Sequence, residues 1–151
     1  GSGESGRFVD HYRLGDVKRL KHDLAAAVDL QRTALAASVK EYGENSRYTA
    51  MAHQYLGLSL RDRGDEAGAI GEFRAALASY ASYLPNAEHP LAATTRYELG
   101  LLLLKRDDTR AEGVRMLTEA ADLREKFLGA DDPLTRQARD ALRSGQSAAK
   151  A

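Results

Sequence analysis

The chain has 151 residues, with 22 basic and 22 acidic side chains and no cysteine. The missing cysteines exclude a disulfide framework, a thiolate metal site and a cysteine nucleophile, and the zero net charge argues against a general nucleic-acid binder. No apolar run approaches the ~20 residues that a membrane span needs, and no secretion signal stands at the start. We therefore expect a cytoplasmic protein with neither nucleic acid nor a membrane as its partner.

The segments between turn residues are long and rich in Ala, Leu, Arg and Glu, which favour helices. No run alternates Val, Ile and Thr with polar residues, as a half-buried strand would, so the predicted fold is all-α. We interpret the opening GSGESG, residues 1–6, as a linker or tag remnant, and residues 145–151 as a flexible tail. The predicted helices span about 8–21, 24–42, 46–63, 65–84, 89–106, 109–128 and 132–144.

Residues at the predicted helix ends have the chemistry that those positions require. Ser46 and Asp132 are suited to cap helix N-termini, and Pro133 suits a first helical position, where no backbone donor is needed. Gly64 and Gly129 suit the left-handed conformation that ends many helices. These residues indicate helix boundaries independently of the hydrophobic pattern.

The chain repeats itself with a period of 42 to 44 residues. A Leu-Gly pair recurs inside the predicted first helices, at Leu14-Gly15, Leu56-Gly57 and Leu99-Gly100. A glycine inside a helix costs about 1 kcal/mol relative to alanine, so its recurrence needs a structural reason. The predicted second helices carry small residues at aligned positions, which are Ala27, Ala34, Ala69, Ala76, Gly113 and Ala120. We therefore predict a tight crossing of two helices in each repeat.

This pattern resembles the tetratricopeptide repeat (TPR) family, whose repeats place Leu-Gly in the first helix and Ala-x3-Phe in the second. Ala69 and Phe73 satisfy the second motif in the middle repeat. Gln31 and Leu117 stand at the position of Phe73 in the other two repeats. The position that usually holds Trp carries His11, His53 and Arg96 instead.

The long period and a Gly-x3-Pro connector, from Gly129 to Pro133, are similar to the kinesin-light-chain variety of TPR. The resemblance implies a right-handed superhelix of three TPR hairpins plus a C-terminal capping helix. The implied TPR domain covers 7–144, with repeats at about 8–42, 46–84 and 89–128 and the capping helix at 132–144. That last helix is predicted to cover the open hairpin end with its apolar side, formed by Leu134, Ala138, Ala141 and Leu142.

Residues that often carry chemistry have structural interpretations in this pattern. His11 and His53 are aligned in two repeats, so we interpret them as packing residues and predict no metal site. The acidic pairs at 107–108 and 131–132 lie in turns between helices, where Asp caps helices and rarely converges in a pocket. The basic run at 18–22 is interpreted as a solvated helix end. Since no nucleotide-binding, metalloprotease or hydrolase motif is present, we predict neither an enzyme nor a cofactor.

The resemblance also implies that the first helices line the concave side of the superhelix. Helical spacing then selects the candidate groove residues on the side away from the Leu-Gly stripe, which are Tyr12, Asp16, Arg19, Met51, Gln54, Leu58, Arg61, Thr94, Tyr97, Leu101 and Lys105. Aromatic residues and Arg often dominate binding energy. Because Arg19, Arg61 and Lys105 fall on successive helices, we expect an acidic peptide as a ligand.

The function implied is that of a protein–protein interaction scaffold that binds a peptide or partner segment in the concave groove. The usage of Ala, Arg and Gly favours one module of a larger bacterial protein. A structural role is the alternative, in which the chain self-associates or assembles without a dedicated peptide ligand. The polar outer side of the last helix argues against end-to-end stacking.

Overall fold

The computed structural model of the chain describes residues 2–83 and 88–150. These residues form α-helices and no strand, so the predicted all-α helical repeat fold is confirmed. The helices are α1 (Ser2–Leu20), α2 (Leu24–Tyr42), α3 (Arg47–Asp62), α4 (Glu66–Tyr83), α5 (Pro90–Leu103), α6 (Arg110–Leu128) and α7 (Pro133–Lys150). Helices α1 and α2, α3 and α4, and α5 and α6 pack as hairpins.

The chain divides into two compact units, Gly1–Tyr83 and Leu84–Ala151. The first unit contains two hairpins, which are joined by packing of α2 against α3. The second unit contains the third hairpin and α7, which packs against α6.

The N-terminal end of the first helix differs from the prediction. Helix α1 begins at Ser2, although the Gly/Ser-rich composition of residues 1–6 predicts a linker and a helix that starts at about residue 8. A helix that is already nucleated gains a backbone hydrogen bond with each further residue, which accounts for its extension through a segment of low helix propensity. Residue 1 lies outside the described part of the chain.

The last helix is also longer than predicted. Helix α7 continues to Lys150, past the predicted end at residue 144 and through most of the predicted tail. Packing explains only the start of the extension, because a Cβ atom on Gly145 would lie 2.8 Å from the side chain of Leu104, whereas residues 146–148 are exposed. Residue 151 lies outside the described residues, as does the predicted end of the second repeat at residue 84.

Most of the predicted helix-end residues adopt the predicted roles, but Gly129, with a ψ of 161°, lies outside the left-handed helical region. The Ser46 hydroxyl accepts a hydrogen bond from the backbone N–H of Thr49 at 3.0 Å. The Asp132 carboxylate accepts a hydrogen bond from the backbone N–H of Leu134 at 2.9 Å. Pro133, the residue after Asp132, is the first residue of α7. Positive φ angles occur at the turn glycines Gly43, Gly64 and Gly129.

Two of the connectors are closed by the same local contact. The Thr49 hydroxyl donates to the carbonyl oxygen of Gly43 at 2.6 Å, and the Thr135 hydroxyl donates to that of Gly129 at 2.8 Å. Each threonine follows its glycine by six residues and lies in the first turn of the next helix. The repeat therefore includes the connector as well as the helices.

Each mid-helix glycine lies against the second helix of its own hairpin, as predicted. The opposing side chains are Gln31 for Gly15, Phe73 for Gly57 and Leu117 for Gly100. A Cβ atom on these glycines would lie 2.7, 2.6 and 2.8 Å from those side chains, closer than real Cβ atoms approach. The aligned small residues of the second helices are also buried, and Ala27, Ala34, Ala69, Ala76 and Ala120 are fully inaccessible. The predicted tight crossing is confirmed in all three hairpins.

Small and polar residues join the two hairpins of the first unit. The contacts between α2 and α3 include Ser38 with Thr49, Ala34 with Ala52, and Gln31 with Ser59. The two hydroxyls of the first pair are 2.9 Å apart, and the Ser59 hydroxyl donates to the side-chain oxygen of Gln31. The stripe of α3 that carries these residues therefore faces the second helix of the preceding hairpin.

Helix α7 covers the core of the second unit. Ala138 and Leu142 are buried in one cluster with Tyr97 and with small and apolar residues of α6. Leu134, which the sequence predicts on this side, is 46% exposed, because it lies at the very start of α7. The cap therefore depends on the middle of the helix.

Arg143 occupies the place in α7 that glycine occupies in the first helices of the three hairpins. It follows Gly100 by the repeat period of 43 residues. Its side chain is exposed and pairs with Asp140. A side chain of this size would keep a further helix from approaching α7 as closely as α6 approaches α5 at Gly100.

Candidate partner-binding surface

The first unit brings side chains from its two first helices, α1 and α3, onto one surface. The rings of Tyr12 and Tyr55 stack with centroids 5.1 Å apart and an interplanar angle of 29°. Two turns further along α1, Arg19 donates to Asp16 at 2.8 and 3.0 Å and to Asp62 at 3.1 Å. The α1–α3 surface, as we name it, consists of Tyr12, Asp16, Arg19, Tyr55, Arg61 and Asp62.

The charges of the α1–α3 surface balance one another. Asp62 accepts two hydrogen bonds from the neighbouring Arg61, at 2.8 and 3.0 Å, so two guanidinium groups face two carboxylates. Burial acts to raise the pKa of Asp62, but the hydrogen bonds from Arg61 and Arg19 outweigh it and hold this pKa below its usual value of 3.8. Burial, and then the nearby Asp16 carboxylate, raise the pKa of Tyr55. The surface thus combines an aromatic pair with fixed charges of alternating sign.

Two predicted groove residues of α3 are buried instead of lining an open surface. Gln54 is 3% exposed and accepts a hydrogen bond from the Tyr80 hydroxyl at 3.2 Å. Leu58 is 9% exposed, whereas Met51 on the same stripe is partly exposed. Helical spacing placed these residues on one side of α3 correctly, but it did not show how much of that side is covered.

Tyr55 and Asp62, which helical spacing did not select, lie beside the predicted α1 residues. Both lie within the helical stripe that continues from Met51 by steps of three or four residues. Their contacts with Tyr12 and Arg19 join residues more than 40 positions apart. Both residues lie one position beyond the alignment of Tyr12 with Gln54 and of Arg19 with Arg61, so the repeat alignment alone did not select them.

In the second unit, the predicted residues are divided between core and surface. Tyr97 is 9% exposed and lies under the guanidinium of Arg124, 4.5 Å from its ring centroid, so its side chain belongs to the core. Leu101 packs against the same cluster, while Thr94 is partly exposed and Lys105 is exposed. Burial lowers the pKa of Arg124. Tyr97 is thus a packing residue and was wrongly predicted to be accessible.

Two pockets lie within the second unit. One has a volume of about 190 Å³ and is lined mainly by apolar groups of α5, α6 and the start of α7, among them Leu91, Phe127 and Leu134. The other has a volume of about 330 Å³ and a charged lining. Its charges pair internally, because Arg96 bonds Glu119 at 3.1 Å and Lys126 pairs with Glu88.

His53 and Arg96, which occupy the same repeat position, each make a polar contact with the facing helix of their hairpin. The Nδ1 atom of His53 lies 2.6 Å from a carboxylate oxygen of Glu72 on the facing helix α4. At the same repeat position of the next hairpin, Arg96 pairs with Glu119 of α6. Among residues 11–83 and 88–148, no group of three or more His, Asp or Glu side chains is arranged to hold a metal ion.

The repeated hairpins and tight crossings can be compared with known families. Residues 9–82 match the family described as Tetratricopeptide repeat. This match covers just under half of the chain and shows that residues 9–82 are similar to tetratricopeptide repeats. TPRs generally mediate protein–protein interaction or scaffolding, and the proteins that carry them are typically non-enzymatic.

Solved structures extend the likeness across both units. Two crystal structures of a protein from Podosopora anserina, described as a kinesin light chain with nearly identical TPR-like repeats, have TM-scores of 0.76 and 0.74 against this chain. Each is 17% identical and matches over 95% of the chain, which confirms the fold as TPR-like repeats of the kinesin-light-chain type. The chain spans 66% and 67% of the lengths of those two structures. No curated protein matches the sequence.

None of the helices that the structure describes is both long enough and apolar enough to cross a membrane.

Proposed function

We propose that this TPR chain is an interaction module that holds a segment of a partner protein along the accessible sides of its first helices. The α1–α3 surface is the observation that carries the proposal. It presents the stacked Tyr12 and Tyr55 rings next to two arginines whose positions are fixed by hydrogen bonds. Aromatic and arginine side chains that are held in place before binding lose little entropy when a partner arrives.

The charges of this surface bear on the chemistry of the partner segment. Arg19 is bound to both Asp16 and Asp62, so a purely acidic segment would meet two carboxylates as well as two arginines. A segment with alternating charges matches the surface better. A more acidic stretch of partner is proposed only for the second unit, where exposed Lys105 and partly exposed Thr94 belong to the predicted set.

A binding experiment with matched variants tests this function. The wild-type chain is compared with the double variant Tyr55→Ala/Arg61→Ala and with a control double variant, Arg32→Ala/Arg74→Ala, all immobilised at equal density. The two control arginines are exposed and lie on the second helices α2 and α4. Partners from a lysate of the source organism are identified by mass spectrometry. We expect a partner that the wild type and the control retain and that the α1–α3 variant loses.

The stabilities of the variants must be compared first, because Tyr55 is partly buried. Equal melting temperatures would show that a loss of binding comes from the surface. Partners that bind all three proteins equally would overturn the assignment to the first helices. Sedimentation over a range of concentrations distinguishes partner binding from the alternative, self-association, because self-association predicts a mass that rises with concentration. A cytoplasmic location and a larger bacterial parent protein stay predictions.

A further inference from the structure

The outer side of α1 is an apolar surface that no other described helix covers. Leu14, Val17 and Leu20 are 47%, 44% and 64% exposed. They follow one another at three-residue spacing, so they share one side of the helix. The opposite side of α1 makes the internal contacts, since Gly15 lies against α2 and Tyr12 against α3.

The repeat shows what kind of element such a side packs against. Leu14 is aligned with Leu56 of α3, which is only 2% exposed, and Val17 is aligned with Ser59. In α3 the stripe that includes Ser59 faces α2, the second helix of the preceding hairpin, through the bond from Ser59 to Gln31. The apolar side of α1 therefore corresponds, by the repeat, to the side of α3 that packs against a helix.

Basic residues border this apolar side. Arg13 and Lys21 lie one turn before and one turn after Val17, and both are exposed. The Lys21 N–H still bonds the Val17 carbonyl oxygen at 3.0 Å, so Lys21 continues the helical spacing just past the end of α1. Lys18 makes only a 3.8 Å contact with the carboxylate of Asp23. We name Arg13, Leu14, Val17, Leu20 and Lys21 the α1 face.

We propose that the α1 face docks an acidic amphipathic helix of a partner protein. The apolar side of that helix covers Leu14, Val17 and Leu20, at the usual distance of about 8–10 Å between packed helix axes. Its Glu or Asp residues lie opposite Arg13 and Lys21, which gives the contact its charge complementarity. This site is independent of the α1–α3 surface and does not rest on the function proposed above.

A pair of helical peptides provides the probe. Both have the sequence of α2, Leu24–Tyr42, because α2 covers the equivalent stripe of α3. The acidic peptide carries Arg32→Glu and Lys40→Glu, and the basic peptide carries Asp29→Lys and Glu41→Lys. Fluorescence anisotropy with the full chain measures the affinity of each, after circular dichroism has shown that the two are equally helical. We expect the acidic peptide to bind at least about tenfold more tightly, because the basic one meets like charges.

Variants of the full chain test whether binding occurs at the α1 face. Leu14→Asn/Val17→Asn is expected to weaken binding of the acidic peptide by at least about tenfold, because the apolar centre of the site is lost. Leu134→Asn is the matched control, since Leu134 is exposed to the same extent, 46%, but lies in α7. Both variants remove only exposed side chains, so their folding is checked simply by their melting temperatures.

Several outcomes would overturn the proposal. These include no binding of either peptide to the wild type, equal binding of both, and equal binding by the wild type and the α1-face variant. A dimer in sedimentation that Leu14→Asn/Val17→Asn abolishes would identify a second copy of this chain as the occupant. Flotation with phosphatidylserine-containing vesicles, if lost in the same variant, would identify a lipid surface as the occupant. Each of these two results would replace the partner helix.

Discussion

Gly57 shows how one residue sets the distance between two helices. Its Cβ position lies 2.6 Å from the ring of Phe73, and Phe73 is fully buried. The ring cannot move away without displacing the core around it, so an added methyl group would force the two helices of the hairpin apart. The recurring Leu-Gly pair predicted this constraint because an unfavourable residue that recurs in register needs a compensating contact.

We therefore predict opposite effects for two glycine substitutions in neighbouring helices. Gly57→Ala should lower the free energy of unfolding by about 1–3 kcal/mol through overpacking. Gly71→Ala should raise it by about 0.5–1 kcal/mol, because Gly71 lies inside α4 with nothing within 4 Å of its Cβ position and alanine favours the helix. Urea unfolding followed by circular dichroism measures both. Equal effects of the two substitutions would show that Gly57 is not at a tight crossing.

Gln31 is a polar residue at a repeat position where the other two repeats have Phe73 and Leu117. It is 1% exposed, and its side-chain nitrogen has no hydrogen-bond partner among residues 11–83 and 88–148. Its oxygen accepts from Ser59. A buried donor without a partner costs free energy, so Gln31 and Ser59 form a half-satisfied polar pair between α2 and α3.

The pair predicts a specific pattern of unfolding free energies. Ser59→Ala alone should destabilise the chain by about 1–3 kcal/mol, because it leaves both ends of the buried Gln31 amide unpaired. The double variant Ser59→Ala/Gln31→Leu should recover most of that loss, since Leu117 packs against Gly100 at the equivalent place. Urea unfolding of the wild type, both single variants and the double variant gives the coupling. A double variant that is less stable than Ser59→Ala would contradict this explanation.

Gln54, Leu58 and Tyr97 show why part of the candidate site could not be predicted. Their spacing assigned each residue to one side of its helix, yet exposures of 3% to 9% place these side chains inside the fold. The width of an open stripe depends on neighbouring helices, which the period of a single helix does not report. Tyr55 and Asp62 were missed for the related reason that their partners lie on another helix.

At the scale of the element, the hairpins were predictable because several local signals agree. Caps at Ser46 and Asp132, a glycine crossing and small residues on the facing helix all indicate the same boundaries. The extra length of α7 was not predictable, because polar and small residues near Gly145 resemble a tail. Only the contact of Gly145 with Leu104 shows that the helix is still packed one residue past its predicted end.

Helix α7 is predicted to be necessary for the stability of the second unit. Ending the chain after Ala130 removes Ala138 and Leu142 from the cluster around Tyr97. The truncation should therefore expose Tyr97 and lower the unfolding midpoint of that unit in urea. Ending it after Gln146 keeps Leu142 and Gly145, and should leave the midpoint nearly unchanged. Unfolding can be followed by hydrogen exchange of α5 and α6 amides. Similar exchange in the two truncated chains would mean that α7 does not cover this core.

At the scale of the whole molecule, the repeats fall into two compact units, each with its own interior. The cluster of the second unit is built from α5, α6 and α7 alone. We therefore predict that residues 88–151 form helices and unfold cooperatively in urea when produced without the first unit. The same fragment with Leu117→Asp, which places a charge in the buried cluster, is the unfolded control. A wild-type fragment as unstructured as that control would show that this interior is insufficient.

The arginine at position 143 also bears on how such a molecule can change over evolutionary time. Repeat arrays lengthen when a duplicated unit is joined in register to an existing one. A unit joined in register behind α7 would begin with a second helix, and that helix would meet Arg143 instead of glycine, so it would dock poorly until that codon mutated. Duplication between the existing hairpins meets no such obstacle, because every first helix there has its glycine. A new repeat is therefore more easily accommodated between the existing hairpins than after α7.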